Sequence, residues 1–273
     1  VWKIIFYPSV LFNFLRARYE ERTSAVVRRS LPYLLEIELT NRCNLKCVHC
    51  LHGTDGSFKK TALSLEKFRQ ILAQFPHATR INLNGLGEFV MNPEFAEIIR
   101  YIRQTKPYCR ITTYSNGTLL SGERTRKLLE CGLSSLTISL DAATAATYTK
   151  VRGGDFDEVL GNLRNFLALR DRAGKRAPLV YLSYTMVDEN EGEFPAFVQL
   201  AADLDVDQIS GVRAAHHDWG KRQHRSRASY VREALAGYQL ARQLHVRVSD
   251  FWLSDPDALL PGGSACDDGN ACT

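Results

Sequence analysis

Hydrophobic and polar positions along the chain alternate between two patterns. Short apolar runs typical of β-strands recur from residue 34 onward, and each is followed by a longer segment whose apolar residues have helical spacing. In the first such segment, Leu65, Phe68 and Leu72 fall on one helical face. The alternation predicts a parallel sheet whose strands are joined by crossover helices. The predicted strands cover residues 34–39, 80–83, 110–114, 136–140, 179–187 and 208–212.

Cap residues mark the ends of the predicted helices. Ser64 suits an N-cap, and Asn92-Pro93 supplies a cap and a first-turn proline for the next helix. A long helix begins after Asp155 and ends at Gly174. The chain therefore contains six β-α units. Eight such units close a barrel, whereas six leave an open barrel or form a flat doubly wound sheet.

The first 33 residues are predicted to form a helical extension that precedes the core. The apolar stretch at 1–15 is interrupted by Lys3, Pro8 and Asn13, so it is too short and too broken to span a membrane. It predicts an amphipathic helix packed on the domain, with a membrane-surface anchor as the alternative. We expect the core to occupy residues 34–252 and a tail to occupy 253–273.

Composition narrows the class of protein. The chain has 273 residues, of which 45% are hydrophobic and 24% charged, which excludes collagenous, low-complexity and strongly disordered classes. A net charge of +5 suits an anionic ligand but lacks the strong basic bias of a nucleic-acid-binding surface, so no DNA partner is predicted. Seven cysteines, three of them within residues 43–50, argue against a secreted disulfide framework. They favour metal or redox chemistry in a reducing, cytoplasmic compartment.

Polar residues that do not fit a core pattern come directly after four of the predicted strands. Because the carboxyl ends of parallel strands face one crevice, we expect these residues to meet at a single site. Taken one at a time, the glycines and Asn116 suit tight turns, and Asp141 suits a helix cap. The four groups are Cys43 to Cys50, Gly85 to Glu88, Ser115 to Gly117, and Ser139 to Asp141.

The spacing of Cys43, Cys47 and Cys50 is the most specific of these signals. A structural zinc site needs four tetrahedral ligands, and His49 or His52 could serve as the fourth, but a second cysteine pair at the usual spacing is absent from the sequence. Three thiolates on one loop instead suit a 4Fe-4S cluster with one iron left open. Zinc remains the alternative at this point.

Together these motifs resemble those of the radical S-adenosylmethionine (SAM) superfamily over roughly residues 34–215. The cysteine spacing matches, with His49 just before the last cysteine. The sequence departs from the family where Leu86 separates two glycines and where Phe89 replaces a frequent proline. The other matches are Gly85-Leu86-Gly87-Glu88 to the Gly-Gly-Glu region, Ser115-Asn116-Gly117-Thr118 to the Thr-Asn-Gly turn, Ser139-Leu140-Asp141-Ala142 to the ribose motif, and Arg152.

The resemblance implies an α/β fold, an open six-unit (β/α) partial TIM barrel with the N-terminal helical extension. It also implies a 4Fe-4S cluster on Cys43, Cys47 and Cys50 whose fourth iron is chelated by the amino and carboxylate groups of SAM. The remaining implied contacts are Gly85, Gly87 and Glu88 to the SAM amine, Arg152 to its carboxylate, Asn116, Ser139 and Asp141 to the ribose, and His49 and Met186 to the adenine. Tyr184 is predicted to face the substrate, with core packing as the alternative.

The implied reaction is reductive cleavage of SAM to a 5′-deoxyadenosyl radical, which removes hydrogen from an unactivated C–H bond. It requires a reductase such as flavodoxin or ferredoxin, and it is sensitive to oxygen. The residues before the cysteines look most like the branch that carries a SPASM extension with auxiliary 4Fe-4S clusters. Cys266 and Cys272 lie where a truncated extension would begin. A peptide substrate is therefore predicted first.

Several alternatives stay open from the sequence. A carbohydrate or other small molecule could replace the peptide as substrate, and a non-catalytic, metal-stabilised binding module is the alternative outside enzymes. The loop at 216–227 carries basic and histidine residues that could steer an anionic substrate or simply be solvated. Cys109 and Cys131 are predicted to be buried apolar residues.

Overall fold

A computed structural model of the chain describes residues 2–50, 59–213 and 227–249. The predictions for His52, for most of the loop at 216–227 and for the tail at 253–273, with Cys266 and Cys272, concern residues outside these ranges. No helix within the described residues is long and apolar enough to cross a membrane.

Six parallel strands form one sheet in the order of the sequence, so each strand pairs with the next one along the chain. The prediction of a parallel α/β sheet is therefore confirmed. The first strand is shorter than predicted, because the chain leaves the ladder after Glu36. The strands are β1 Leu34–Glu36, β2 Arg80–Asn82, β3 Arg110–Ser115, β4 Ser135–Ser139, β5 Leu179–Met186 and β6 Gln208–Arg213.

The sheet curls into an open barrel instead of lying flat. In a flat sheet, the edge strands β1 and β6 would be about 24 Å apart, since neighbouring strands are separated by about 4.8 Å. Yet Glu36 of β1 and Ser210 of β6 line the same cavity. Within the described residues the two edge strands do not pair with each other. The predicted open partial barrel is confirmed, and the flat doubly wound alternative was wrong.

Helices cover the outer face of the sheet. The side chains of Ile81, Ile111 and Leu136 point outward and are fully buried among apolar residues of the helices. Burial of this face holds the helices on the barrel. The helices are α1 Pro8–Arg22, α2 Leu65–Ala73, α3 Phe95–Thr105, α4 Gly122–Glu130, α5 Ala145–Arg152, α6 Phe156–Arg172, α7 Phe194–Asp203 and α8 Arg227–Gln243.

Two of the predicted caps are formed, and a third residue has another role. Ser64 accepts a hydrogen bond from the Lys67 backbone, and Asp155 caps α6 in the same way. Asn92 was predicted to open α3, but that helix begins at Phe95. Asn92 Oδ1 accepts from the Glu94 backbone at 2.8 Å, as a cap does, and its Nδ2 also donates to the carbonyl oxygens of Leu39 and Leu63, each at 2.8 Å. It therefore ties two loops together, which local sequence cannot indicate.

The N-terminal extension is helical as predicted, but α1 is not amphipathic in the expected sense. Its buried face includes the polar residues Asn13 and Glu20, whereas Phe12 and Tyr19 are exposed. Asn13 exchanges two hydrogen bonds with the Leu31 backbone. Glu20 accepts hydrogen bonds from the backbone and hydroxyl groups of residues 29–30. Polar contacts therefore hold the segment after α1 against the helix.

Three predicted core or site residues of the barrel have clear positions. Cys109 and Cys131 are buried, as predicted, and burial raises the pKa of Cys109 to about 12 and that of Cys131 to about 11. Tyr184 is fully buried against the rings of Phe194 and Phe197. The prediction that Tyr184 faces the substrate was wrong, because the apolar layer between β5 and α7 encloses its ring.

Candidate active site at the carboxyl ends of the strands

The loop after β1 brings its three cysteines to the carboxyl edge of the sheet. Val48 anchors the loop by donating a backbone hydrogen bond to the carbonyl of Val151, at 3.0 Å, at the end of α5. The Cys50 backbone donates to the Cys47 carbonyl at 3.2 Å, which tightens the turn between these two cysteines. None of the three cysteines forms a disulfide within the described residues; Cys47 is buried, and the other two are half-buried.

The electrostatic environment shows that the three sulfurs share one neighbourhood. Burial raises the pKa of Cys47 to about 11, and the charges of Cys43 and Cys50 act in the same direction. The Arg152 guanidinium opposes these effects and lowers the pKa of Cys47. Burial also raises the pKa of Cys43, and the negative charge of Glu88 raises it further by a smaller amount. Each thiolate therefore lies within electrostatic range of the others and of the site around them.

The donor set fits an iron–sulfur cluster better than a single ion. Within residues 2–50, 59–213 and 227–249, no three His, Cys, Asp or Glu side chains converge tightly enough to hold one metal ion. A tetrahedral zinc site needs such convergence. A 4Fe-4S cluster binds each cysteine through a different iron, so its ligands surround a larger group. Arg152 also favours the thiolate form that iron requires at Cys47.

Glu88 is a buried carboxylate beside the cysteine loop. It is 2% exposed, and its two oxygens accept hydrogen bonds from the Ser115 hydroxyl, at 2.9 Å, and from the Asn116 backbone, at 2.6 Å. Its own backbone donates to the Arg42 carbonyl at 2.8 Å. Burial raises the pKa of Glu88 to about 7, although these hydrogen bonds favour the ionised form. The carboxylate is therefore fixed in place and titrates near neutral pH.

The two glycines before Glu88 lie against the segment after β1, and at Gly87 the backbone of that segment leaves no room for a side chain. A Cβ atom at Gly87 would overlap the Thr40 carbonyl oxygen, and one at Gly85 would overlap the Glu38 carboxylate. Sequence analysis attributed both glycines to a close approach of SAM. The contacts in the structure show that they first allow the loop after β2 to lie against the segment after β1, which sets the position of Glu88.

Asn116 connects the carboxylate to the cysteines. Its backbone binds Glu88, while its side-chain Nδ2 donates to Asn44 Oδ1 at 2.9 Å and lies 3.9 Å from Cys43 Sγ. Thr118 completes the network by donating to Asn116 Oδ1 and accepting from Asn44 Nδ2, each at 2.8 Å. Sequence reasoning missed Asn44 and the role of Thr118. The polar residue inside the cysteine motif was the available signal.

Asp141 and Arg152 form a buried ion pair at the end of β4. Asp141 Oδ2 lies 3.1 Å from Arg152 Nη1, and Arg152 Nη2 donates to the Ser139 carbonyl at 2.6 Å. Asp141 is fully buried, and its Oδ1 accepts from the Thr185 backbone at 2.7 Å. Arg152 Nε and Asp141 Oδ2, in contrast, make no hydrogen bond within the described residues. The guanidinium therefore keeps one donor that the protein does not use, and its contact with the SAM carboxylate stays a prediction.

His49 lies beside this ion pair, whereas Met186 is part of the apolar core. His49 Nε2 lies 3.6 Å from Asp141 Oδ2, so the histidine of the cysteine motif faces the end of β4. Met186 ends β5 directly after Thr185 and is 4% exposed within the apolar core. Backbone conformation adds to the site, because Asp141 adopts a left-handed φ of +57°, which Asp tolerates better than most residues.

A second feature of this part of the molecule was not predicted. The inner face of the sheet encloses a cavity of about 340 Å³ lined by polar side chains of all six strands. The sequence signal is an alternation in which polar residues occupy every second strand position, such as Glu36 and Glu38 or Asn82 and Asn84. Sequence reasoning treated each strand as an apolar run and overlooked this alternation.

Fold and site together define a class of protein: an open α/β barrel whose carboxyl edge brings three cysteines together with a buried carboxylate and a buried ion pair. The sequence profile of the radical SAM superfamily matches residues 37–201, which is more than half of the chain. The chain belongs to the radical SAM superfamily, whose enzymes use a 4Fe-4S cluster and SAM. The family predicted from the motifs is confirmed.

Three known proteins illustrate the similarity. The chain is 27% identical over 181 residues to the tungsten-containing aldehyde ferredoxin oxidoreductase cofactor-modifying protein of Pyrococcus furiosus, covering 64% of this chain and 49% of that protein. It is 31% identical over 173 residues to mycofactocin maturase MftC of Mycobacterium tuberculosis, covering 63% of this chain and 42% of the maturase. Streptococcus suis SuiB bound to SAM superposes with a TM-score of 0.67 at 15% identity, covering 81% of this chain and 50% of SuiB.

The chain spans about half the length of each of these proteins. The maturase is in keeping with the branch predicted from the sequence. At 15% identity, the likeness to SuiB shows the fold alone.

Proposed function

We propose that Cys43, Cys47 and Cys50 hold a 4Fe-4S cluster and that the protein uses it to cleave SAM reductively and remove hydrogen from a substrate. When bound, the cluster supplies the electron for this cleavage. The observation that carries the proposal is the double contact of Asn116, which binds the Glu88 carboxylate and reaches Cys43 Sγ at 3.9 Å. A SAM molecule beside the cysteine loop would thus meet Glu88 at the same edge.

The chain's own residues bind and orient SAM in this proposal. The ionised Glu88 carboxylate accepts a hydrogen bond from the SAM amine, and the backbone at Gly85 and Gly87 lies close enough to contribute carbonyl acceptors. Arg152 keeps Asp141 in place through their ion pair, and its Nε, which has no hydrogen-bond partner among the described residues, is the donor we propose for the SAM carboxylate. The remaining contacts are Asn116, Ser139 and Asp141 with the ribose, and His49 and Met186 with the adenine.

A peptide is the substrate class we propose. SuiB has been solved with its precursor peptide SuiA, and the polar inner face of the present sheet offers hydrogen-bonding groups along an extended path. A small-molecule substrate is the second candidate, because the cofactor-modifying relative acts on a cofactor and a cavity of about 340 Å³ suits a compact ligand. The reductase, the auxiliary clusters and a reducing cytoplasmic compartment also belong to the proposal.

Anaerobic product analysis tests the proposed function. After reconstitution with iron and sulfide, dithionite and SAM are expected to yield 5′-deoxyadenosine with the wild-type protein. Cys47→Ala should abolish the product, whereas Cys131→Ala, a buried cysteine of the core, should retain it. Intact SAM beside a fully loaded cluster would contradict the enzymatic proposal and favour a non-catalytic, metal-stabilised binding module.

A further inference from the structure

The cavity on the inner face of the sheet is separate from the proposed SAM contacts. None of the residues proposed to hold the cluster or SAM lines it. The wall consists mainly of hydroxyl, amide and charged side chains, which is unusual for the interior of a barrel, where branched apolar residues dominate. Its lining residues are Leu34, Glu36, Arg80, Asn82, Asn84, Arg110, Thr112, Tyr114, Ser135, Thr137, Tyr181, Gln208 and Ser210.

Two arginines stand side by side at the amino-terminal end of this face. Arg80 begins β2 and Arg110 begins β3, and the strand register makes them direct partners. Their Cα atoms are therefore about 4.8 Å apart, and both side chains face the same cavity. Like charges directly opposite each other on adjacent strands are destabilising. Both arginines are exposed, so solvent screens this repulsion and both guanidinium groups remain accessible to a ligand.

The surrounding protein does not neutralise the pair. Among the described residues, neither arginine takes part in an ion pair. Arg110 donates a hydrogen bond to the neutral Tyr181 hydroxyl at 3.2 Å. Glu36 is the carboxylate among the lining residues, and its Oε1 accepts from Asn82 Nδ2 at 3.2 Å. Two positive charges against one negative charge leave the lining with a net charge of +1.

We propose that Arg80 and Arg110 bind a carboxylate of the substrate; this inference rests on the proposed function. Arginine presents a planar set of donors that matches a carboxylate, and the net charge of +1 matches a monoanion better than a doubly charged phosphate. The source of the carboxylate is an acidic side chain of a peptide or an acid group of a small molecule. Both sources share the same recognition chemistry.

The pair also sets the orientation of the substrate. Arg80 lies four residues before Asn84, so the carboxyl end of this wall is about 13 Å away along the strand. Along β3, Arg110 is five residues before Ser115, or about 17 Å. A substrate held by its carboxylate at the arginines would therefore run along the polar face, and its far end would reach the edge where Glu88 and the cysteine loop lie.

Peptide binding to the reconstituted, SAM-loaded protein tests this inference. The probes are two fluorescent, end-capped tetrapeptides that differ in a single Glu or Gln, with propionate and inorganic phosphate as competitors. We expect the Glu peptide to bind about tenfold more tightly than the Gln peptide, as loss of one charge-assisted contact predicts. Arg80→Gln and Arg110→Gln should each weaken the Glu peptide about tenfold. Arg124→Gln, an exposed arginine on α4, is the matched control and should not change it.

Each outcome has a defined meaning. In one outcome, the protein binds the Glu and Gln peptides equally, but propionate competes with them and Arg80→Gln and Arg110→Gln each reduce this competition. That result supports the inference and assigns the carboxylate to a small-molecule substrate. Binding of phosphate but not propionate overturns it, and so does equal binding of the Glu peptide to wild-type protein and both cavity variants.

A second measurement needs no cavity variant. Propionate should protect Arg80 and Arg110 of the wild-type protein from phenylglyoxal but leave Arg124 reactive, and equal reactivity of all three would overturn the inference. Release of 5′-deoxyadenosine without any carboxylate preference would contradict this inference alone. Absence of that release would contradict the proposed function, whatever the peptide binding shows.

Discussion

The two faces of the same sheet differ in chemistry although their residues alternate along the same strands. Ile81, Ile111 and Leu136 point outward and are fully buried beneath the helices. Their neighbours Asn82 and Thr112 point inward and line a polar cavity. A shift of one residue therefore separates the packing that stabilises the barrel from the surface available for a substrate.

The carboxyl edge of the sheet combines burial with binding groups. Asp141 and Glu88 are as deeply buried as the outer-face residues, yet both belong to the candidate site. Burial at this edge is compensated by hydrogen bonds and by an ion pair instead of apolar contacts. Substitutions in three regions, the outer face, the inner face and the edge, should therefore differ in how much they change stability and how much they change binding.

The largest expected effect comes from the edge. Asp141→Asn should lower the free energy of unfolding of the metal-free protein by about 3–5 kcal/mol, because it leaves the buried Arg152 cation without its partner. Asn also tolerates the left-handed backbone at this position. Urea unfolding measures the change. Glu123→Gln removes an exposed ion pair with Lys127, which solvent screens, and should change the free energy of unfolding far less. Equal losses for both variants would show that the buried pair has no special role in stability.

The outer face should give the next largest effect. Ile111→Ala removes a fully buried side chain below the helices and should cost about 2–5 kcal/mol in the same unfolding experiment. Its distance from the polar cavity predicts that substrate affinity in the folded variant is unchanged. A cost below about 1 kcal/mol would contradict the assignment of this face to the core.

Glu88 should make stability depend on pH. Its pKa in the folded protein, about 7, is raised by burial above the ordinary value of 4.5, so its stabilising contribution is present at low pH and is lost as pH rises through this interval. Between pH 4.5 and 8, the metal-free wild type should lose up to about 3 kcal/mol relative to Glu88→Gln. Parallel urea titrations at several pH values measure the difference, and a constant difference would contradict the raised pKa.

Glu88 should also make SAM binding depend on pH, in the opposite direction. The carboxylate must be ionised to attract the SAM amine, so SAM affinity of the reconstituted wild type should fall as pH drops below about 7. Equilibrium dialysis measures this affinity. Glu88→Gln should bind SAM more weakly and show less dependence on pH, and an equal pH dependence in both proteins would exclude Glu88 as its origin.

The inner face should show the smallest stability effect. Thr112→Val keeps the shape of the side chain but removes its hydrogen bond to Asn82 Oδ1 at 2.7 Å, which should cost about 1 kcal/mol. The comparison with the adjacent Ile111→Ala then isolates the difference between the two faces. An equal cost at both positions would remove the distinction.

Local patterns predicted the framework well. Apolar runs indicated the six strands and their parallel connection, and the positions just after the strands indicated where the site would form. Both inferences need only the alternation of short and long segments and the shared direction of parallel strands. The C-x3-C-x2-C spacing indicated the cysteine loop for the same reason, because its residues are near neighbours in the chain.

Contacts between distant segments could not be predicted in this way. Nothing near Gly87 in sequence shows that its neighbour is the Thr40 carbonyl, and nothing near Asn92 indicates its bonds to Leu39 and Leu63. The polar buried face of α1 likewise depends on the path of the chain after the helix. In contrast, the polar alternation in the strands was visible, and reading it with period two would have predicted the inner face.

The most direct test is the iron content of single cysteine variants after anaerobic reconstitution, with electron paramagnetic resonance of the reduced samples. Cys43→Ala, Cys47→Ala and Cys50→Ala should each lose the cluster or its native signal, while Cys109→Ala and Cys131→Ala should keep both. Undiminished iron and an unchanged signal in all three loop variants would contradict the assignment of the cluster to this loop.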